Sequence, residues 1–160
     1  MNKKNVDFLT WLKIKRGIKY PVTTGSLQTS QNEIDKYLMD HPRADISGII
    51  VGGDLIITNC LEATFRDVVF EGKVIITNGV ASLSLDVCEF MKGLKLKDLS
   101  VTRDLTITKT EVNDELLVSN LFVGGNYISD KSFIQMMLGK DKKERVTTEA
   151  ITIRGQLVHL

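Results

Sequence analysis

The sequence predicts a small, right-handed parallel β-helix of about four or five coils, because short alternating segments recur along the chain at regular spacing. Each segment alternates apolar residues with other residues and ends on a polar or charged one. The first residues of consecutive segments are 19, 20, 11 and 11 residues apart, so we interpret the step of 11 as two arms of one coil. The segments open at Leu55, Val74, Leu94, Leu105 and Leu116.

Each segment has the composition of a β-strand. Alternate side chains of a strand point to opposite faces, so a period of two places one set of side chains inward. Valine, isoleucine and threonine dominate the segments, whereas glycine and asparagine lie between them, as expected for corners. Four of the segments end on a polar residue that favours turns, and we predict that these residues form a ladder of stacked turns: Asn59, Asn78, Asp98 and Asn120. A calcium site there is disfavoured because that row offers a single carboxylate.

Two other β architectures remain open at this point. Short strands at spacings near ten residues are also typical of an antiparallel β-sandwich. A leucine-rich-repeat-like solenoid is the third possibility, because residues 55–60 read Leu-x-Ile-x-x-Cys. The repeat favours the β-helix over the sandwich, and the absence of a regular helical pattern between the segments disfavours the leucine-rich repeat.

Capping segments are expected at the ends of the repeat, because a stack of coils exposes apolar surface there. We predict a helix over Lys4 to Ile14 and a second over Gln31 to Met39, with Ser30 and Glu33 as a capping box. A third helix is predicted over Ser132 to Leu138, followed by a last strand pair within residues 151–159. The chain is therefore read as one domain, with a helical cap over 1–43, a solenoid over 44–129, and a C-terminal helix with closing strands over 130–160.

The composition predicts a soluble, cytoplasmic protein. No apolar run is long enough to span a bilayer, and the N-terminal residues lack the continuous apolar stretch of a secretory signal. The two cysteines, Cys60 and Cys88, are too few for a disulfide framework and are expected to be buried, reduced thiols.

No catalytic motif stands out in the sequence. Nucleophile elbows, phosphate-binding glycine loops and metal-ligand spacings of Cys and His are all missing from it, so we predict no catalytic residue, no cofactor and no metal. A carbohydrate-active enzyme stays open as an alternative, because some β-helical enzymes use carboxylates on a solenoid face. Asp67, Asp86 and Asp104 are the candidates for that role.

Recognition is the function that the sequence favours, because a solenoid presents a rigid surface whose outward residues are free to vary. We expect a non-catalytic module that binds another protein, such as an accessory or host-interaction factor, without membrane binding and with self-association into a homo-oligomer as a further possibility. The alternation places five residues outward as partner contacts: Lys95, Lys97, Arg103, Thr106 and Thr108.

A nucleic-acid-associated protein is the alternative from a different class. Residues 1–43 carry eight basic and four acidic side chains, and residues 44–129 carry seven and twelve. A basic segment with an aromatic ring suits a phosphate backbone, although the net charge of +1 is far from that of a dedicated binder. The candidate contacts are Trp11, Lys13, Lys15, Arg16 and Lys19.

Overall fold

The computed structural model of the chain describes residues 6–130, 133 and 146–160. Within them the chain forms two helices and fourteen strands, numbered here in chain order. The helices are α1 (Phe8–Arg16) and α2 (Gln31–Asp40). The strands are β1 (Gln28–Thr29), β2 (Arg43–Ser47), β3 (Ile50–Val51), β4 (Leu55–Arg66), β5 (Val69–Phe70), β6 (Val74–Asp86), β7 (Glu89–Phe90), β8 (Leu94–Val101), β9 (Leu105–Thr108), β10 (Glu111–Val112), β11 (Leu116–Val123), β12 (Tyr127–Ser129), β13 (Val146–Ile153) and β14 (Leu157–His159).

The strands build a parallel β-solenoid of about five turns, which confirms the predicted β-helix. All strand pairs in the described residues are parallel, and they join equivalent strands of successive coils. This pairing rules out the antiparallel sandwich. No helix separates the strands between β2 and β12, so the leucine-rich-repeat alternative is also wrong.

One coil passes through three faces, which the path of β4 and β5 illustrates. The first face contains Leu55 to Thr58 and its ladder partners, and the chain turns at Asn59 with a φ of 55°. The second face contains the rest of β4 and its partners. After a second corner at Asp67, with a φ of 52°, β5 forms the narrow third face with β1, β3, β7 and β10.

The ladder register explains the uneven repeat spacing. Leu55, Val74, Leu94 and Leu116 stack on the first face, whereas Leu105 stacks on Leu83 of the second face. The step of 11 residues therefore marks two arms of one coil, as predicted. The spacing grows along the chain because residues are added after the first face. The register shifts between residues 58 and 60 and between 77 and 78 add one residue each, and one more is added between the pairs Val80–Val101 and Leu83–Leu105.

Inward side chains fill the solenoid with a continuous apolar core. The rings of Phe70 and Phe90 stack on the third face, with centroids 4.5 Å apart and planes 4° from parallel. Each fully buried side chain of this size contributes about 1.5–3 kcal/mol to folding, so a repeated stack holds the coils together. The predicted turn ladder lies outside this core, where Asn78 Nδ2 donates to Thr58 Oγ1 at 2.6 Å and Asn120 Nδ2 donates to Asp98 Oδ1 at 3.1 Å.

The helices cover the N-terminal end of the solenoid. Helix α1 begins after Asp7, whose carboxylate accepts from the backbone N–H of Thr10, and it ends at Gly17 with a φ of 67°. Helix α2 begins at Gln31, as predicted, but the capping box is wrong, because Ser30 makes no side-chain cap and Glu33 instead binds Arg16. Neither of these helices is long and apolar enough to span a bilayer.

The described residues 146–160 form strands. The expected strand pair near residues 151–159 is present, and β13 and β14 continue the ladders of β11 and β12 as one more coil. Apart from Phe133, which is helical and buried, the helix predicted over Ser132 to Leu138 lies outside the described residues.

Candidate functional site

The five predicted partner contacts lie on two faces rather than in one patch. Lys95 and Lys97 belong to the first face, whereas Thr106 and Thr108 belong to the second. Arg103 lies in the connection between β8 and β9. The five residues lie around the circumference of one coil and do not form a common surface.

Two of these residues already make contacts within the chain. The Arg103 guanidinium lies 3.5 Å from Glu62, whose other carboxylate oxygen is 3.9 Å from Arg43. Thr108 Oγ1 donates to Asp86 at 2.7 Å, and Asp86 also lies 3.6 Å from Arg66. Such exposed ion pairs contribute about 0–1 kcal/mol each, so they order the outer surface of the second face without holding the fold.

The predicted nucleic-acid contacts are also dispersed, and Arg16 is committed to the fold. Its guanidinium donates to both carboxylate oxygens of Glu33, at 2.6 and 3.3 Å, and to the backbone oxygen of Gln28 at 2.7 Å. Lys13 is half-buried on α1, and Lys19 lies beyond the end of that helix. A phosphate backbone would have to compete with Glu33 for Arg16.

Trp11 and Lys15 line a depression between the two helices. The Lys15 ammonium lies 5.6 Å from the centroid of the Trp11 ring, which itself stacks on Phe8. Glu33 and Asp40 line the same depression together with Lys36 and Met39. The mixture of two carboxylates and two ammonium groups provides little net attraction for a polyanion.

The three carboxylates considered for carbohydrate chemistry occupy different positions on the coil. Asp104 Oδ1 accepts from the backbone N–H of Asn126 at 2.8 Å, which bridges two successive turns. Asp86 lies on the second face, in the contacts described above, and Asp67 lies at the corner between the second and third faces.

A groove of about 430 Å³ runs beside that corner. Its residues come from the corner, from the outer surface of the third face, and from the loop between α1 and β1. The groove crosses four rungs of the ladder, which corresponds to about 14 Å along the solenoid axis at the usual strand separation. Its lining includes Thr24, Gly25, Ile50, Asp67, Val69, Val87, Glu89, Lys109 and Glu111.

Val87 is the unusual residue of this groove. Four successive corners adopt positive φ, at Gly48, Asp67, Val87 and Lys109, with values of 66°, 52°, 53° and 49°. Glycine and aspartate tolerate this region, but a β-branched side chain clashes with its own backbone there. The Val87 side chain is nevertheless 43% exposed, so it gains little burial in return for the strain.

Charge in the groove is predominantly negative. Its lining includes three carboxylates, those of Asp67, Glu89 and Glu111, and one ammonium group, that of Lys109. The same lining includes the apolar residues Ile50, Val69 and Val87. A groove lined by apolar side chains and carboxylates can accept an extended segment that combines apolar and basic side chains.

Cys88 also lines the groove but is not suited to nucleophilic chemistry. Its side chain is buried, and burial raises the pKa of the thiol to about 12. The thiol lies within hydrogen-bond distance of the backbone oxygen of Phe65, at 3.4 Å. A thiolate would therefore be scarce near neutral pH, and the role of Cys88 is to fill the core at the corner. Cys60, which is also buried, has its thiol pKa raised by burial as well.

The sequence contained a signal for Val87 that periodicity alone does not reveal. Asp67, Val87 and Lys109 each follow the polar last residue of a second-face strand, so the position is a corner in every coil. A valine at a position where the neighbouring coils carry charged residues departs from the turn chemistry of the repeat.

Among the described residues, no group of three or more histidine, cysteine, aspartate or glutamate side chains is arranged to hold a metal ion. Compared with known proteins, the chain matches no protein-family model, no curated protein and no solved structure.

Proposed function

We propose that this protein is a non-catalytic binding module that recognises another protein through the groove beside Val87. The partner would contribute an extended segment with apolar side chains and at least one lysine or arginine. The protein would act by occupying the partner's surface, as an accessory or host-interaction factor does. We also propose that it works in the cytoplasm, where buried thiols such as Cys60 and Cys88 remain reduced.

The conformation of Val87 is the observation that carries this proposal. A left-handed backbone costs a residue with a side chain about 1–2 kcal/mol, and a branched β-carbon aggravates the clash. Strain of this kind tends to persist where function requires a particular side chain. An exposed valine has one evident use, which is to become buried when an apolar surface covers it.

The lining charges support the choice of partner. With three carboxylates and one ammonium group, the groove attracts a basic segment and repels an acidic one. Because these charges are near the surface, their effect should weaken but not vanish as the salt concentration rises. Binding that collapses steeply with salt is instead typical of nucleic-acid complexes.

The test is a comparison of partners recovered by three tagged proteins from the native host: the wild type, Val87→Asn and Asp114→Asn. Asparagine tolerates positive φ, so Val87→Asn should fold at least as stably as the wild type. Asp114 also has a positive φ, at 62°, but it does not line the groove, which makes Asp114→Asn the matched control. Thermal unfolding of each protein checks that all three are folded.

The proposal predicts protein partners that survive nuclease treatment and that are recovered with the wild type and the control. Their recovery should fall about tenfold with Val87→Asn, since losing the burial of one valine is worth about 1.5 kcal/mol. Equal recovery by all three proteins would contradict the use of this groove. Recovery that disappears with nuclease would favour the nucleic-acid alternative.

A further inference from the structure

The floor of the groove beside Val87 changes in character along the solenoid axis. Four residues of the third face stack there in register, one from each of four successive coils: Ile50, Val69, Glu89 and Glu111. Two apolar side chains therefore come first, and two carboxylates follow. A bound segment meets a different chemistry at each end of this floor.

Glu89 and Glu111 form a like-charge pair within the groove. The two residues are ladder partners, and neighbouring strands of a sheet lie about 4.8 Å apart. Like charges at opposed positions of neighbouring strands are destabilising. The ion pairs among the described residues use other carboxylates, those of Glu33, Glu62 and Asp86. A cation that bridges Glu89 and Glu111 would therefore relieve a repulsion that the folded chain contains.

Val87 supplies an apolar wall beside these carboxylates. It lies at the corner of the same coil as Glu89, and its side chain is 43% exposed. An arginine side chain combines an apolar stem with a planar charged head. The stem can lie along Val87 while the guanidinium reaches Glu89 and Glu111. The fork of the guanidinium can bond both carboxylates at once, whereas a lysine ammonium is a compact point charge.

The apolar end of the floor is bordered by the loop between α1 and β1. Ile50 and Val69 are half-buried there, and Thr24 and Gly25 of the loop line the groove with them. The backbone N–H of Gly25 donates to the Gly48 oxygen at 2.9 Å, which anchors the loop to the first coil. An apolar side chain gains burial at this end, whereas a charged one would lose hydration without a partner.

The spacing of the ladder relates the two ends of the floor to each other. The centre of the apolar pair and the centre of the acidic pair are two rungs apart, which is about 9.6 Å. Residues two positions apart in an extended segment point to the same side and are separated by about 6.6 Å. The length of an arginine side chain covers the remaining distance.

We propose that the segment recognised by this groove carries an apolar residue and an arginine two positions apart. The apolar residue covers Ile50 and Val69. The arginine lays its stem on Val87 and its guanidinium across Glu89 and Glu111. This inference rests on the proposed function, because it names the side chains that the same groove selects.

The test begins with a selection of short random peptides, displayed on phage, against the immobilised full-length protein. The enriched peptides should share an apolar residue and an arginine separated by one residue, in either order. A synthetic copy of the most enriched peptide is then titrated by calorimetry against the wild type and its variants. Replacing the arginine of this peptide by lysine should weaken binding, because the bridging fork is lost.

The decisive variant combines Glu89→Gln with Glu111→Gln. It removes both charges while keeping the side-chain shapes, and we expect the dissociation constant to increase at least tenfold. Asp114→Asn with Glu115→Gln is the matched control, because it removes two charges from residues that do not line the groove. This control should bind the peptide as the wild type does. Thermal unfolding checks that both double variants are folded.

Enriched peptides without the apolar and arginine pattern would overturn the inference, and so would unchanged affinity in the Glu89→Gln, Glu111→Gln variant. If that variant does not fold, equal affinity for the arginine and lysine peptides overturns it instead. A peptide that loses affinity with Val87→Asn but not with the double variant would leave the proposed function standing and remove the arginine contact alone. A selection that enriches no peptide would overturn both.

Discussion

Among the described residues, the first and the last coil of this solenoid are covered to different degrees. Beside the first coil, α1 and α2 bury Phe8, Leu12, Ile34 and Tyr37. In the last described coil, the inward side chains of β13 and β14 are partly exposed. The difference shows that the first coil is covered by residues outside the repeat pattern.

Gln31 shows how the N-terminal end replaces a missing strand. Its side-chain amide donates to the backbone oxygen of Ile56 at 2.9 Å and accepts from the Ile56 N–H at 2.6 Å. A carboxamide has the same donor and acceptor as a peptide group, so it can complete a ladder rung. The helix thereby satisfies the first rung of the first face while its apolar side covers the core.

The largest expected effect is a difference in stability loss between core substitutions near the first coil and near the last described coil. Phe8→Ala should lower the free energy of unfolding by about 3–5 kcal/mol, because Phe8 is fully buried and its removal leaves a cavity. Leu157→Ala should lower it by less than about 1 kcal/mol, because Leu157 is partly exposed. Urea unfolding measures both, and equal losses would contradict the comparison.

A smaller effect is expected at a glycine where the backbones of two neighbouring coils lie close together. A Cβ on Gly93 would lie 2.7 Å from the backbone oxygen of Glu115, and the φ of Gly93 is 104°. Gly93→Ala should therefore cost about 1–3 kcal/mol. Gly53→Ala is the control, because Gly53 also has a positive φ but its Cβ would meet no atom within 4 Å. Thermal unfolding should rank Gly93→Ala below Gly53→Ala, and the reverse order would contradict the close stacking.

Removing the amide of Gln31 should have a modest effect. Gln31→Ala leaves one N–H and one carbonyl of Ile56 to water, and we expect a loss of about 1 kcal/mol. Lys36→Ala, on an exposed position of the same helix, should change stability little. The rate of hydrogen exchange at the Ile56 amide should rise in Gln31→Ala and not in Lys36→Ala. An unchanged rate would show that the side chain does not replace a strand.

The smallest effect near neutral pH concerns Tyr37. Its side chain is buried in the N-terminal cap, and burial raises its pKa from 10.0 to about 12. The folded state therefore holds this proton more tightly than the unfolded state. Its contribution is fully present below pH 10 and is lost as pH rises towards 12. Urea unfolding between these pH values should show a steeper decline for the wild type than for Tyr37→Phe, and identical slopes would refute the assignment.

Much of the solenoid was predictable because its physical signal is local and repeated. The inward row from Leu55 to Leu116 follows from alternation, and corners such as Asn78 follow from residues that tolerate positive φ. The residues added after the first face were not predictable, because they shift the register without disturbing the strands on either side.

The ends and the groove depend on contacts between distant residues, which periodicity does not contain. Ser30 and Glu33 have the spacing of a capping box, but Arg16 from another helix competes for the Glu33 carboxylate. The groove residues come from four coils and a loop, so no single segment of the sequence predicts the groove. Val87 becomes notable only when its backbone angle and its exposure are known together.

Amide hydrogen exchange along the whole chain tests most directly whether the two ends differ. The amides of β13 should exchange faster than their ladder partners in β11, because the inward residues of β13 are only partly buried, whereas the first-face amides of β4 should be protected under α2. Protection of β13 that equals that of β11 would contradict the difference in coverage between the first coil and the last described coil.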